Sequence, residues 1–402
     1  MLGIWFNHED LPVRRKQEDF ECLKHFGFTD AFVLFKGCLV DQRDTQEDYE
    51  YLDFLIKGIR QNGARVHGVF YCSEDQKYIN MNPDRTDIAI FGKSETRRIC
   101  HLDKAYIEYL NHSIMTAADE YALDGIQLDF VRFGTIFNGW SPEEEKIYSD
   151  FGVNVPVLKD EILKTYDLSK PSYNLKAIFS RYTENDGQML ALAAGRKSVI
   201  RNFVQTVSGN IRSGLPDAEL SVAMMPEGMY LPWAVDAELQ YGQTYEDFSS
   251  YFDYMVPMIY SSTFNQTSEW VGEVAAAISE RFPESVIGID TLEPRLGKDL
   301  RVEIEAIKRV NNAGISVFRY GRMILAARDG QNTLLYNTYP GTVTRLVLTR
   351  GEKEIVKDCI LEESSWMKVS GHWDRIRAFG KFFAGKTQIY EGEMSVLDRG
   401  TV

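Results

Sequence analysis

Short apolar runs alternate with longer amphipathic stretches along the first 330 residues of the chain. The runs predict strands at 2–7 (LGIWFN), 30–36 (DAFVLFK), 64–72 (ARVHGVFYC) and 124–133 (DGIQLDFVRF). A second set follows at 219–227 (ELSVAMMPE), 252–261 (FDYMVPMIYS), 285–291 (SVIGIDT) and 314–320 (GISVFRY). Helices are predicted between them at 46–62, 103–121, 187–212, 266–282 and 299–313. In the first of these, Tyr49, Leu52, Phe54, Leu55 and Ile59 stand within a charged sequence. The turns QNGARV and NNAGISV supply the Gly and Asn that end helices ahead of strands three and eight.

Strands alternating with helices in this number predict an α/β fold closed into a (β/α)8 TIM barrel. A doubly wound open sheet is the alternative, disfavoured because no GxGxxG follows the first strand. Residues 134–186 form a long insertion after strand four, and 341–402 change to an alternating texture (TRLVLTRGEKEIVKDCIL). The expected organisation is a catalytic barrel over 1–340, carrying the insertion, followed by a small β-rich appendage over 341–402.

Barrel enzymes carry their sites at the C-terminal ends of the strands. There the sequence offers Asn7-His8-Glu9-Asp10, Lys36, His67 and Tyr71, then Gln127, Asp129 and Arg132. Later strands add Glu227, Tyr260, Asp290 with Glu293, and Arg319. Asp129 stands out. Strand alternation puts Gln127 and Asp129 on one face and Ile126 and Leu128 on the other, so the polar pair is expected to face the barrel interior. A buried carboxylate is costly unless it is neutral or paired. It is therefore either a site residue or a core aspartate paired with Arg132 or Arg319. Asp124 and Asp253 sit at strand starts and read as structural. Glu227, on the strand expected beside Asp129, reads either as its partner across a sugar-sized gap or as a solvated loop residue. Asp290 is a third carboxylate candidate.

Composition narrows the partners. The net charge is −14, from 45 basic and 59 acidic residues, which argues against nucleic acid or an anionic membrane. Aromatics make up 12%, and Trp5, Tyr71, Trp140 and Tyr260 are candidate sugar-stacking surfaces. The five cysteines lack CxxC spacing and the six histidines lack HxH, HxxxH or HExxH spacing, so no metal or other cofactor is expected. No GxSxG elbow marks a serine nucleophile. No apolar run approaches the roughly 18–20 residues that span a bilayer. The chain reads as cytoplasmic, or as secreted if a leader has been removed; its oligomeric state is left open.

DGIQLDFVRF and FDYMVPMIYSS together resemble bacterial glycosyl hydrolase-like barrel families. These include the family-10-like glycosyl hydrolases and a glycosyl hydrolase-like domain of unknown function. Their fourth strand reads D-G-I-x-x-D-Y-x-R-[FY] and their sixth Y-x-D-x-[IV]-x-P-M-x-Y. The segment GRKSVIRNFVQTVSGNIRSGLPDAELSVAM also looks like their helix into strand five. The resemblance implies a TIM barrel with Asp129 as principal site carboxylate, Arg132 as a site or support residue and Tyr260 lining the pocket. Phe130 replaces the usual Tyr, and Met225-Pro226-Glu227 stands where relatives often have Ser-Pro. A more distant likeness to chitinase-like barrels lacks their later strand-four Glu, since Val131-Arg132-Phe133 occupies that place.

The expectation is a glycoside hydrolase acting on an oligo- or polysaccharide, with Asp129 and Glu227 as catalytic carboxylates. Trp5, Asn7, Tyr71, Gln127, Arg132, Tyr260, Asp290 and Arg319 are the expected substrate-binding residues. A carbohydrate-binding barrel without turnover is the alternative from another class. A lyase or phosphate-handling isomerase ranks last, because no glycine-rich phosphate cradle follows strands seven and eight.

Overall fold

The computed structural model describes residues 1–7, 18–36, 46–167, 169, 172–228, 237–291, 300–384 and 387–398. His8, Glu9, Asp10 and Glu293 lie outside the described residues. The chain opens with β1 (Leu2–Phe6), α1 (Glu18–Phe26), β2 (Asp30–Lys36), α2 (Gln46–Gln61) and β3 (Arg65–Tyr71). Next come α3 (Gln76–Met81), a hairpin of β4 (Thr86–Ile88) and β5 (Ser94–Ile99), α4 (Lys104–Tyr121) and β6 (Gly125–Asp129). The insertion holds α5 (Pro142–Asp150), α6 (Val155–Leu163), β7 (Tyr166–Asp167), β8 (Ser172–Tyr173) and α7 (Leu175–Thr183). Then follow α8 (Gly187–Gly214), β9 (Glu219–Met224), α9 (Tyr245–Phe248), β10 (Tyr254–Pro257), α10 (Ser268–Arg281), β11 (Ile287–Asp290), α11 (Leu300–Val310) and β12 (Ile315–Phe318).

Eight of these strands form one sheet in the order β10-β9-β6-β3-β2-β1-β12-β11. The pairings β1–β2, β1–β12, β11–β12 and β6–β9 are parallel. A parallel bridge between Met258 and Gly288 joins the two ends of that order, with the Ile259 amide donating to the Gly288 carbonyl at 2.8 Å. The fold is thus a (β/α)8 barrel, as the alternation predicts. Its strands are short and buried on both faces, and all five residues of β6 are buried.

Two compact units divide the chain. One comprises Met1–Leu34, Gln46–His67 and Val256–Val402; the other comprises Phe35–Thr45 and Gly68–Met255. The first unit contains the β-rich C-terminal segment, whose strands begin at Ile324. Two four-stranded sheets run through it, closing on a core that includes Leu335, Val343, Leu346, Leu361, Val369 and Met394.

Three features differ from the sequence pattern. The fourth strand stops at Asp129 instead of reaching 133, because Phe130 takes a left-handed backbone (φ 53°) that turns the chain out of the sheet. The insertion is largely helical. Each of its helices is nine residues long and capped by Ser141, Asn154 or Asn174, and two and a half turns are too few to show a clear period. The hairpin β4–β5 carries few apolar positions, and α1, nine residues long, spans too few turns to show a clear period.

Closure of the barrel leaves no room at Gly288. A Cβ there would meet the Pro257 carbonyl oxygen at 2.9 Å and Val256 Cγ1 at 3.5 Å. Gly288→Val is therefore expected to destabilise the protein by about 1–3 kcal/mol, read as a lowered urea midpoint. Gly209→Ala, on an exposed turn of α8 with nothing within 4 Å of its Cβ position, is expected to be neutral or to stabilise by up to about 1 kcal/mol.

Candidate active site

Asp129 is the last residue of β6 and is 8% exposed. The Cys72 amide donates to its carbonyl at 2.8 Å, which holds the end of β3 alongside it. Its own carboxylate Oδ1 accepts from the Phe130 amide at 2.6 Å. The left-handed turn at Phe130 is fixed from the β3 side, where Ser73 Oγ donates to the Phe130 carbonyl at 2.8 Å. Burial pushes the Asp129 carboxyl up to about 6 from an ordinary 3.8. The Phe130 amide and the Arg132 charge oppose that rise, and the charge of Glu74 adds to it.

Beyond the turn, the Arg132 guanidinium carbon lies 5.0 Å from the Phe130 ring centre and 5.1 Å from that of Tyr241. Two aromatic faces thus hold the cation beside Asp129. Its Nη1 donates to the Phe133 carbonyl at 3.3 Å. Tyr241 ends a π-helical turn, Ala237–Tyr241, and its hydroxyl donates to Glu227 Oε1 at 3.4 Å. Burial first, then the charge of Glu227, pushes the Tyr241 phenol up to about 12. Glu227 is 6% exposed, in the 3-10 turn Pro226–Gly228 just past β9.

Gln243 ties this turn to the neighbouring strand end. Its Oε1 accepts from the Met225 amide at 3.1 Å, while its Nε2 donates to the Val131 and Ala223 carbonyls at 3.2 and 3.4 Å. Asp129 at the end of β6 and Glu227 just past the end of the adjacent β9 are therefore connected by Phe130, Arg132 and Tyr241. Tyr71 joins the same cluster, its ring edge-on to Phe130 at 4.7 Å. The arrangement offers a carboxyl that holds a proton to near neutrality, a second carboxylate, a fixed cation and an aromatic edge.

Each of the remaining candidates lies within its own unit. Gln127 is fully buried one layer below Asp129, where the Ser221 hydroxyl bonds its Oε1. Trp140 is 1% exposed and donates its Nε1 to the Ile136 carbonyl at 2.9 Å, so it is a core residue of the insertion and offers no stacking face. Asp253 is structural, as its position suggests: it accepts from the Leu220 amide at 2.7 Å and pairs with Arg212 at 2.9 Å.

Trp5, Asn7, Tyr260, Asp290 and Arg319 belong to the other compact unit. There Trp5 stacks on Phe32 at 5.2 Å and bonds Ser316 Oγ. Tyr260 stacks on Phe318 at 5.4 Å, and Arg319 lies 5.3 Å from the same ring. Asn7 and Asp290 are buried at the ends of β1 and β11. His67 is buried too, bonded to Asp30 at 2.9 Å, and Asp30 also pairs with Arg65 at 2.7 Å. Asp30 and Arg65 begin β2 and β3, so this group lies at the N-terminal end of its strands, the end opposite to the one where barrel sites form.

Residues missing from the sequence reading are Glu74, Arg98, Tyr241 and Gln243. Glu74 pairs with Arg98 at 2.7 Å. Its place three residues past the end of β3 obeys the strand-end rule and was a usable signal. Arg98 sits on the unforeseen hairpin, and Tyr241 and Gln243 come from an irregular connection that no periodicity marks. Among the described residues no group of three His, Cys, Asp or Glu side chains is disposed to hold a metal ion.

No protein-family model and no curated protein matches the chain. Solved structures do. The PgaB (BpsB) glycoside hydrolase domain from Bordetella bronchiseptica superposes with a TM-score of 0.58 at 11% identity, over 79% of this chain and 92% of that one. The catalytic domain of β-amylase from Paenibacillus polymyxa gives 0.56 at 10% identity, with the same coverages of 79% and 92%. A β-galactosidase from Marinomonas ef1 gives 0.56 at 13% identity, over 80% of this chain and 54% of its own length. At these identities the likeness is one of fold: the chain has a barrel similar to those of glycoside hydrolases.

Proposed function

We propose that the protein is a glycoside hydrolase acting on an oligo- or polysaccharide, with Asp129 as general acid and Glu227 as the second carboxylate. The observation that carries this reading is the raised carboxyl of Asp129 at a strand's C-terminal end, connected through Arg132 and Tyr241 to Glu227. Glycosidic cleavage needs one carboxylic acid to protonate the leaving oxygen and one carboxylate to serve as nucleophile or base. Burial keeps the first protonated toward neutrality. The Phe130 amide and Arg132 stabilise the anion left after proton transfer. Tyr241, a donor to Glu227, orients the second carboxylate. Tyr71 supplies an aromatic ring for a sugar to stack on. The similarity of the fold to three carbohydrate-active barrels supports the substrate class, and the net charge of −14 disfavours polyuronate or sulfated chains.

Asp129→Asn is expected to lower turnover by about 10²–10⁴-fold while leaving glycan binding in place. A glycan array read alongside product analysis checks both. Wild-type turnover in the mutant removes Asp129 from the chemistry; binding without products from the wild type turns the protein into a carbohydrate-binding barrel.

Turnover should fall as pH rises through about 6, where Asp129 loses its proton. A rate that still climbs between pH 6 and 8 would contradict that assignment.

The same shift sets a stability window. Between about pH 4 and 6 the folded chain holds a proton that the unfolded chain has released, so Asp129 costs stability as pH rises through that range. At pH 7.5 Asp129→Asn is expected to be more stable than wild type by about 1–3 kcal/mol, with the gap closing near pH 4. Urea denaturation at the two pH values measures it.

A further inference from the structure

Helix α8 carries a fully buried arginine, Arg196, that the proposed chemistry does not use. Its guanidinium donates to three backbone carbonyls on two separate segments. Nη1 reaches Asn138 at 2.7 Å; Nη2 reaches Thr135 and Gln240, both at 2.8 Å. Thr135 and Asn138 belong to the loop that leaves β6 after Asp129 and Arg132. Gln240 precedes Tyr241 in the π-helical turn. The Phe133 ring packs over the same guanidinium at 4.0 Å, and the Phe133 amide donates to the Tyr241 carbonyl at 3.0 Å.

Backbone packing marks the same spot independently. Gly242, at φ +70°, lies so close to α8 that a Cβ would meet the Arg196 carbonyl oxygen at 3.0 Å and Ile200 Cγ1 at 2.8 Å. Behind the loop stand two buried carboxyls, Asp87 and Glu144. Asp87 accepts from the Gly139 amide and Glu144 from the Ser141 amide. Burial, then the charge of Glu144, holds Asp87 well above its ordinary range, burial likewise raises Glu144, and Arg196 opposes both. The guanidinium charge thus acts on both carboxyls while its donors hold the loop beside them.

We infer that Arg196 is a positioning residue: it fixes the loop after β6 and the turn bearing Tyr241 in one geometry, so that Tyr241 meets both Arg132 and Glu227. The consequence for catalysis rests on the glycoside hydrolase reading; the structural coupling does not. A planar guanidinium presents its donors from nitrogens held apart in fixed directions, matching carbonyls on two separate segments, whereas the three donors of an ammonium radiate from a single nitrogen on a flexible stem. Arg196→Lys therefore keeps the charge facing Asp87 and Glu144 and removes the bridge. Arg196→Met removes both.

The test is amide hydrogen exchange on the full chain, with steady-state kinetics beside it. In both variants the amides of Phe133 and Gly242 should exchange at least about tenfold faster. Those of Leu128 and Val222, in β6 and β9, should stay within about threefold of wild type. In Arg196→Lys, kcat should fall at least about tenfold with KM little changed, and the pH limb set by Asp129 should not move. Unchanged exchange at Phe133 and Gly242 would overturn the inference. So would equal acceleration at Leu128 and Val222, which marks general destabilisation, or an unchanged kcat despite faster local exchange. A wild type without glycan turnover would sink the hydrolase reading alone, leaving exchange to decide the role of Arg196.

Discussion

A carboxyl group at the buried end of a central parallel strand must either keep its proton or be surrounded by groups that tolerate its charge. At Asp129 both conditions are partly met. Burial raises its pKa to about 6, while one amide and one guanidinium stop the rise there. Much of the surrounding structure follows from that compromise. The chain turns left-handed at Phe130 so that the next amide points back at the carboxylate. Ser73 holds the turn from β3 and Gln243 holds the following segment from beyond β9. Arg132 stays near because Phe130 and Tyr241 give it two aromatic faces, and Tyr241 in turn bonds Glu227.

Cost is distributed outward from this centre. Three guanidinium groups, of Arg98, Arg132 and Arg196, lie close enough to His101 that their charges, after burial itself, hold its imidazole far below the usual range, to about 3. Each cation has its own counterpart. Arg98 pairs with Glu74, Arg132 stands by Asp129, and Arg196 binds backbone carbonyls. The positive charge in this half of the barrel is thus tied to particular carboxylates and carbonyls, within a chain whose net charge is strongly negative.

The barrel was legible because its strands are short apolar runs with period-two polarity at their ends. β6 is the clearest case. Ile126 and Leu128 on one face, with Gln127 and Asp129 on the other, announce both the strand and its odd carboxylate. Glu227 is legible as a strand-end residue, and Glu74 obeys the same rule. The contacts that Tyr241 and Arg196 make were not legible. Tyr241 belongs to a π-helical turn without a periodic signature, and Arg196 looks like one more basic residue on a long helix. Trp140 misled in the opposite direction, since a tryptophan in a polar insertion suggests a stacking platform and here fills a core. Side chains that act through backbone carbonyls, or that gather from irregular connections, leave no spacing to read.

The most direct test of the account is a carbon-13 NMR titration of the Asp129 carboxyl in the intact protein, assigned by its loss in Asp129→Asn. The expected midpoint is near pH 6, about two units above an ordinary aspartate. A midpoint at or below pH 4 would mean that Asp129 is a paired, permanently ionised structural residue, and the proposed division of roles between the two carboxylates would fall with it.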